Sequence, residues 1–393
     1  MVAVQVFDLV NKITKNLLGE NATLLNEDLS NTVDVGTAIF SSNNMDNYVR
    51  SLVDHIGKVV FVDRKYNGSA PSVYMDAWEF GSVLEKIQLN ELPQAVENES
   101  FDLKDGESYD PNIFYQPKVA AKFFNKRITW EIPMSFTEMQ VKSSFDNGTQ
   151  LASFISMIQT GIENSFTVKV DGLIKRTISN MIALTLNSEY PTQTDYDKSS
   201  GVRAINLLKL YNDKFSTTTP ITKEQALTNP EFARFAVFVD RVMTDRMCEM
   251  STLYNIGGKA RFTPKTDLHT VFLSDFIAAA ETYLQSDTYH DDLVRLRNYE
   301  TVASWQGTES GKDFNNSFNS VSTINVKASD GKTVNIDGIL GIKFDRNALG
   351  VSNFNKRIKS NYNPKAEFYN NWFKMDAGYF NDTDENFIVY FIA

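Results

Sequence analysis

Three histidines and one cysteine are all that a chain of 393 residues offers of these side chains, so chemistry that needs them has few places to sit. His290 lies in TYHDDLVRL and is followed directly by Asp291 and Asp292. A ring nitrogen beside two carboxylates is a donor set suited to a metal-dependent hydrolase. On a helix, though, adjacent residues project about 100° apart. They do not converge on one ion, whereas HExxH places its histidines one turn apart on a single face. The two acids fit better at the start of a following helix, where the macrodipole favours negative charge. His55 and His269 stand far off with no matching spacing.

Other fragments that look chemical dissolve on inspection. DGKT at 330–333 has the end of a phosphate loop, but the position of the required earlier glycine is Val326. It also sits between two alternating apolar runs, which makes it a hairpin turn. GTESG at 307–311 has Glu309 where a nucleophile elbow needs serine, and YNIGGKARF lacks dinucleotide-fold spacing. Cys248 falls on the apolar side of a helical pattern beside Met247 and Met250, as a buried structural thiol does. The acids are scattered and define no pair. The hydrolase centred on His290 remains only as the rival reading.

The elements themselves carry more. Phe7, Val10, Ile13 and Leu17 recur at helical spacing. Residues 21–56, rich in Asn, Asp, Ser and Thr, read as an extended arm with one short helix around Met45–Ile56. A short apolar run, Lys58–Phe61, reads as a strand. The excursion over 82–133 has alternating outer parts, with Ile128, Trp130 and Ile132 on one side, around a polar, turn-rich middle. That pattern predicts a two-stranded arm, which is marginal alone and must rest on a neighbouring surface. A helix over about 149–184 follows, with Thr149 as its cap, one apolar face, and Gln159, Glu163, Lys169 and Lys175 on the other side.

Helices are expected at 203–214 and at 231–250, the second with Asn229 as cap and Pro230 at its first position. HTVFLS reads as a strand running into the helix DFIAAAETYLQ. TINVKASDGKTVNI is a hairpin, GILGIKFD a strand buried on both faces at its start, and the segment 356–382 alternates into a closing apolar strand, NFIVYFIA.

Composition narrows the class. Hydrophobic residues make up 42% and the net charge is −10 without a basic block; this excludes a concentrated footprint for reading nucleic-acid sequence. A single cysteine rules out an intrachain disulfide and a cysteine zinc site. No run approaches the ~20 apolar residues of a membrane span, and the amphipathic start is no secretory signal.

Three stretches then resemble one family. FFNKRITWEIPMSFTEMQVKSSFDNGTQLASFISMIQ is similar to the outer strand of the extended loop leading into the spine helix of the major capsid protein of tailed double-stranded DNA bacteriophages. HTVFLSDFIAAAETYLQSDTYHDDLVRLRNYETVASWQG and the run from ILGIKFDRNALGV to the closing FIA resemble its axial and C-terminal regions in phages of gut-bacterial or Gram-positive hosts.

The resemblance implies an α+β capsid fold. Its parts would be an N-terminal helix and arm (1–61), an extended loop with base strands (62–135), and a spine helix in a peripheral domain (136–186). An axial domain (187–347), a return excursion (348–383) and a C-terminal strand of the axial domain (384–393) would complete it. It implies a structural protein, not an enzyme, with no cofactor or metal. Homo-hexamers and homo-pentamers would form an icosahedral head in the host cytoplasm. The head would enclose double-stranded DNA without sequence specificity, and scaffolding, portal and decoration or head-fibre proteins would be partners.

Phe101, Lys104, Tyr109, Phe114 and Tyr115 on the loop, with Asn371 and Trp372 in the return, are the candidate self-assembly contacts. Some relatives crosslink a loop lysine to a late asparagine. Lys104 and Asn371 lie in suitable regions, with no local pattern that supports a bond. An encapsulin-like nanocompartment shell has the same fold and is the nearest alternative.

Overall fold

The computed structural model describes residues 10–15, 24–26, 30–41, 71–75, 84–89, 112–144, 148–215, 220–285, 299–306 and 322–393, with single positions 22, 93, 95, 97 and 105 between them. The expected helix around Met45–Ile56, the strand at Lys58–Phe61 and the His290 stretch lie outside the described residues. The chain divides into two compact units. One comprises Met1–Glu79, Arg127–Leu173 and Val351–Gly378; the other comprises Phe80–Lys126, Ile174–Gly350 and Tyr379–Ala393.

In chain order the strands are β1 (Tyr74–Met75), β2 (Leu84–Leu89), β3 (Val119–Phe124), β4 (Arg127–Thr137), β5 (Ala204–Asn206), β6 (Leu268–Leu273), β7 (Glu300–Val302), β8 (Ile324–Lys327), β9 (Thr333–Ile336), β10 (Ile339–Asp345), β11 (Leu349–Asn363), β12 (Phe368–Asn381) and β13 (Phe387–Phe391). The helices are α1 (Thr32–Ser41), α2 (Glu138–Ser144), α3 (Gly148–Glu189), α4 (Leu207–Phe215), α5 (Lys223–Ala226), α6 (Pro230–Cys248) and α7 (Ser274–Gln285).

The first unit is built on the sheet β1-β11-β12-β4. β4 and β12 pair antiparallel from Thr137↔Phe368 to Arg127↔Gly378. The alternation read over Ile128–Ile132 is there: Ile128, Trp130 and Ile132 are half-buried while Thr129 and Glu131 face out. Its partner differs from the expectation, because these residues belong to the sheet and not to the two-stranded arm. Asp376, buried in β12, accepts from Arg127 Nη2 at 2.8 Å and Thr129 Oγ1 at 2.6 Å, and also binds Arg357.

The N-terminal residues add a small cluster of their own. Val10 and Ile13 are buried on a helical segment, and the Asn11 carboxamide bonds both the N–H and the C=O of Leu25. The helix α1 corrects the reading of 21–56 as largely extended. Gly36 and five β-branched residues blur its periodicity in the sequence, yet Val35 and Ile39 bury one side of it.

The second unit has the mixed sheet β5-β13-β10-β6-β7, with β5 and β7 parallel to their neighbours and the remaining pairs antiparallel. Every residue of β10 and β13 is buried, as a central pair requires. Ile205, Tyr211, Phe232, Phe235, Phe276 and Ile388 join α4, α6 and α7 to the sheet in one core.

Asn229 caps α6 by accepting from the N–H groups of Glu231 and Phe232, with Pro230 at the first helical position. The residues expected to open a helix at 203 instead pair with β13 as β5, and α4 begins at Leu207. The β8–β9 hairpin registers Val326 against Val334, and Gly331 takes φ 86° in its turn.

The long helix α3 spans 42 residues, ~63 Å at the helical rise. Its earlier residues bury one stripe: Ile158, Ile162, Phe166 and Val170. The expectation of a single buried face fails beyond Thr177, where Thr177, Ser179, Ile182, Ala183 and Thr185 are all covered. The hydroxyls survive burial because each is paired. Ser179 Oγ donates to the Trp305 carbonyl at 3.1 Å and Thr185 Oγ1 to that of Met181 at 2.9 Å.

A buried cation lies inside this unit. Lys343 on β10 sits 2.6 Å from the Asp240 carboxylate of α6 and donates to Thr244 Oγ1 at 2.5 Å. Burial pulls the ammonium below the ordinary lysine range, against the opposing pull of Asp240. Removing one partner strands the other, which costs about 3–5 kcal/mol. Asp240→Ala is therefore expected to lower urea stability by about that much. The double variant Asp240→Leu/Lys343→Met should lose less than Asp240→Ala alone; an additive loss in a double-mutant cycle would refute the pairing.

Candidate assembly surface

β2 and β3 form a two-stranded antiparallel ribbon in the second unit, registered Glu85↔Phe123, Lys86↔Lys122, Ile87↔Ala121, Gln88↔Ala120 and Leu89↔Val119. Residues of one strand alternate between faces. One face therefore carries Glu85 beside the apolar Ile87, Leu89, Val119, Ala121 and Phe123, and the other carries Lys86, Gln88, Ala120, Lys122 and Phe124.

The ordinary arrangement would bury the apolar face. Here it is reversed: Ile87 is 66% exposed, Phe123 63% and Val119 56%, while the lysine face is partly buried. The ribbon's return toward its tip continues the exposure, with Phe114 at 84% and Tyr115 at 81%.

The lysines turn inward because acids wait for them. Lys86 lies 2.8 Å from Asp382 and 2.5 Å from Glu385; Lys122 lies 2.7 Å from Asp382 and 2.6 Å from Asp384. Phe124 adds a ring contact to Phe380, centroids 5.1 Å apart.

The acidic loop, Asp382–Asn386, is itself fixed by backbone bonds: Asp382 N–H to the Ala348 carbonyl at 2.7 Å, Gly257 N–H to the Thr383 carbonyl at 2.8 Å, and Phe387 N–H to the Tyr254 carbonyl at 2.9 Å. A Cβ at Gly257 would stand 1.9 Å from Asp384 Oδ1, so any side chain there would displace the Asp384 carboxylate.

Burial alone would raise the Asp382 carboxyl. Hydrogen bonds from Lys122 and Lys86 outweigh it and hold the group below the ordinary carboxylate range. Burial likewise works against the Lys122 ammonium, but Asp382 and Asp384 raise it overall. Burial pushes Glu385 upward despite Lys86.

The residues singled out in the sequence fall in several places. Phe101, Lys104 and Tyr109 lie outside the described residues. Asn371 and Trp372 sit on β12, opposite Met134 and Pro133. Asn371 is buried with neither carboxamide atom hydrogen-bonded, and Trp372 is half-buried. His269 is on β6 against the Phe344 ring, where burial lowers its imidazole. Among the described residues no cluster of His, Cys, Asp and Glu is placed to hold a metal ion, and no helix is long and apolar enough to cross a membrane. Cys248 ends α6, its thiol pushed up by partial burial.

Sequence reasoning missed the lysine–acid seat. Its signal was present as the matched alternation of LEKIQL and VAAKFF, one lysine in each.

These features describe a subunit that leaves a limb's apolar face open, as a protein built for assembly does. The chain belongs to the family of Phi29-like phage major capsid proteins, which it matches over residues 10–391. It is thus a structural component of a phage capsid and not an enzyme, and it assembles into a multimeric shell; the family favours neither the cargo-compartment nor the hydrolase reading.

No curated protein matches the chain. Among solved structures, it is similar to the capsid structure of Staphylococcus phage Andhra, at 12% identity and a TM-score of 0.49, covering 84% of this chain and 86% of that one. A structure of the head fiber and inner core protein gp22 of bacteriophage P68 gives 11% and 0.48, covering 85% and 86%. The capsid structure of cyanophage P-SCSP1u gives 12% and 0.43, covering 86% and 94%.

The seat has a pH signature. Asp382 has its folded value depressed, so its ionisation stabilises the seat above the ordinary carboxylate range. That contribution is lost as pH falls through the depressed value. Glu385 runs the other way: its ionisation destabilises the seat as pH rises through the ordinary range toward its raised value. Asp382→Asn should cost about 1.5–3 kcal/mol at neutral pH, the worth of a hydrogen bond to a charged group. The two proteins should converge in stability only as the pH falls from the ordinary value of about 3.9 through the depressed folded value. Urea midpoints across that range check it, and a gap that persists in acid would contradict the assignment.

Proposed function

We propose that the ribbon is the limb by which each copy grips the next in an icosahedral phage head. The observation that supports this is the reversed ribbon: four large apolar side chains, Ile87, Leu89, Val119 and Phe123, face solvent in the isolated chain. A two-stranded ribbon is marginal alone, and fully burying a large apolar side chain is worth about 1.5–3 kcal/mol. A neighbouring copy supplies the cover. A limb on one surface and its acceptor elsewhere make a heterologous contact, which closes into rings when the rotation closes. Rings of five and six from one chain need a contact segment that changes its angle, and the polar, turn-rich stretch between the ribbon strands suits that.

In this reading residues 1–61 are the arm, 62–135 the extended loop with its base strands, and 136–186 the spine region. Residues 187–347 with the strand at 384–393 form the axial domain, and 348–383 return through the periphery. Phe101, Lys104, Tyr109, Phe114, Tyr115 and Trp372 contribute contacts between copies, while Asn371, buried on β12, is covered within its own chain. The head assembles in the host cytoplasm with scaffolding, portal and decoration or head-fibre proteins. It encloses double-stranded DNA without reading it. A net charge of −10 suits a genome driven in by a motor and not gathered by charge.

Ile87→Lys/Phe123→Glu tests the limb. Both positions are exposed, so the monomer's stability should move by no more than about 0.5 kcal/mol per site. Electron microscopy of the high-mass fraction should find no shells. Wild-type yields of closed particles from this variant would refute the proposal.

A further inference from the structure

A second apolar surface of the same unit stands open, and its chemistry says what covers it. A groove of about 380 Å³ lies along α4 and α6, lined by Val202, Leu210, Phe235, Phe238, Val239 and Val242 among others. Phe238 is 54% exposed, and Val202, at 47%, shares its rim. The charged residues lining it, Lys214 and Arg246, are both cations, and no acid lines it. Neither cation is in an ion pair among the described residues. The Lys214 ammonium lies over the rings of Phe238, Phe235 and Phe215 at 4.7, 5.2 and 5.8 Å. An apolar slot with aromatic walls and unpaired cations fits an extended peptide that carries aromatic anchors and negative charge.

Among the described residues the chain carries such a segment. Ile113, Phe114 and Tyr115 follow one another with no strand or helix of their own, all three exposed. The stretch before them, residues 91–110, has seven acids against the single Lys104. The segment's negative charge and exposed apolar side chains therefore match the groove's cations and apolar walls.

We infer that the α4–α6 groove is the acceptor for the Ile113–Tyr115 segment of a second copy, with the ring of Phe114 or Tyr115 seated among Phe235, Phe238 and Val242 and the acidic stretch facing Lys214 and Arg246. One donor and one acceptor per chain make a head-to-tail contact, the kind that closes rings. This rests on the proposed shell assembly and names its docking site.

The test uses the full chain in a Cys248→Ser background. Chains carrying only Tyr115→Cys are mixed with longer, tagged chains carrying only Val202→Cys, then oxidised. The expected product is a mixed disulfide dimer, absent when Val202→Cys is replaced by Lys265→Cys, an exposed position outside the groove. A Tyr115→Cys/Val202→Cys chain that closes only on itself would place the segment in its own groove and overturn the inference, as would no mixed dimer at all.

Separately, Lys214→Glu/Arg246→Glu should raise the concentration needed for shells about tenfold, a loss of ~1.4 kcal/mol per contact. Glu107→Lys/Asp110→Lys should restore part of it. Unchanged assembly by the groove variant, with wild-type shells present, overturns the docking site and leaves the shell proposal standing. A wild-type chain that never forms shells overturns the shell proposal, while the mixed-disulfide result still decides the contact.

Discussion

The attachment of the ribbon by charge governs how this molecule uses its apolar surface. In most hairpins the apolar face goes inward and the charged face meets water. Here Lys86 and Lys122 oppose each other across the two strands and share Asp382, with Glu385 and Asp384 as their second partners. Two cations on one carboxylate, each with a further acid, compensate the cost of taking these charges partly out of water. Ile87, Leu89, Val119 and Phe123 are then committed to the outside by the period of two, since turning one face in turns the other out. A subunit that buried those residues against itself would have nothing to offer a neighbour.

Such an arrangement works only if the acids cannot retreat, and the fold sees to that. Asp382, Asp384 and Glu385 sit in the short link from β12 to β13, and β13 is the fully buried centre of its sheet between β5 and β10. The link is tied on both sides, to Ala348 before β11 and to Tyr254 and Gly257 after α6. Thr263 bridges further inward, donating to Asp345 at 2.8 Å and accepting from the Asn386 carboxamide at 3.1 Å. The rigidity of the core strand is thus passed to the buried Asp382 carboxylate through backbone hydrogen bonds, and from there to the ribbon.

Much of this fold was legible locally and its crucial orientation was not. The cap Asn229-Pro230, the hairpin turn at Asp330-Gly331, the doubly buried GILGIKFD and the closing apolar strand each announce themselves through residues whose types admit one conformation. The helix α1 is hidden because TVDVGTAIF mixes β-branched residues and a glycine into a helical stripe, and tertiary burial of Val35 and Ile39 overrides their weak propensity. β5 merges with the following helix in the sequence because a run as short as Ala204-Ile205-Asn206 fits either period. The ribbon shows a different limit. Alternation in LEKIQL and VAAKFF tells which residues share a face, but not which face meets water. That depends on acids nearly 300 positions away in the chain, at Asp382 and Glu385. Of the candidate contacts, the described Phe114 and Tyr115 were visible as aromatics in a polar loop, whereas the seat that presents them was not.

The same device recurs in the other unit, which argues that it is a principle of this chain and not an accident of one loop. Asp376, buried on β12, holds Arg127 and Thr129 of β4 as well as Arg357 of β11, and the three bonds outweigh burial to keep its carboxyl below the ordinary range. Lys374 pairs across the strands with Glu131 at 2.6 Å, in register. In both units, then, the residues that flank the long excursion are located by carboxylates of one C-terminal stretch, 376–385, through charge-assisted hydrogen bonds. Such bonds are directional, so they set register and angle, while apolar contact tolerates sliding. Hydrophobic area is non-directional and additive, which suits the summed grip between copies. Dividing the labour this way fixes the aim of the ribbon internally and leaves its apolar area free for the contact between copies proposed above.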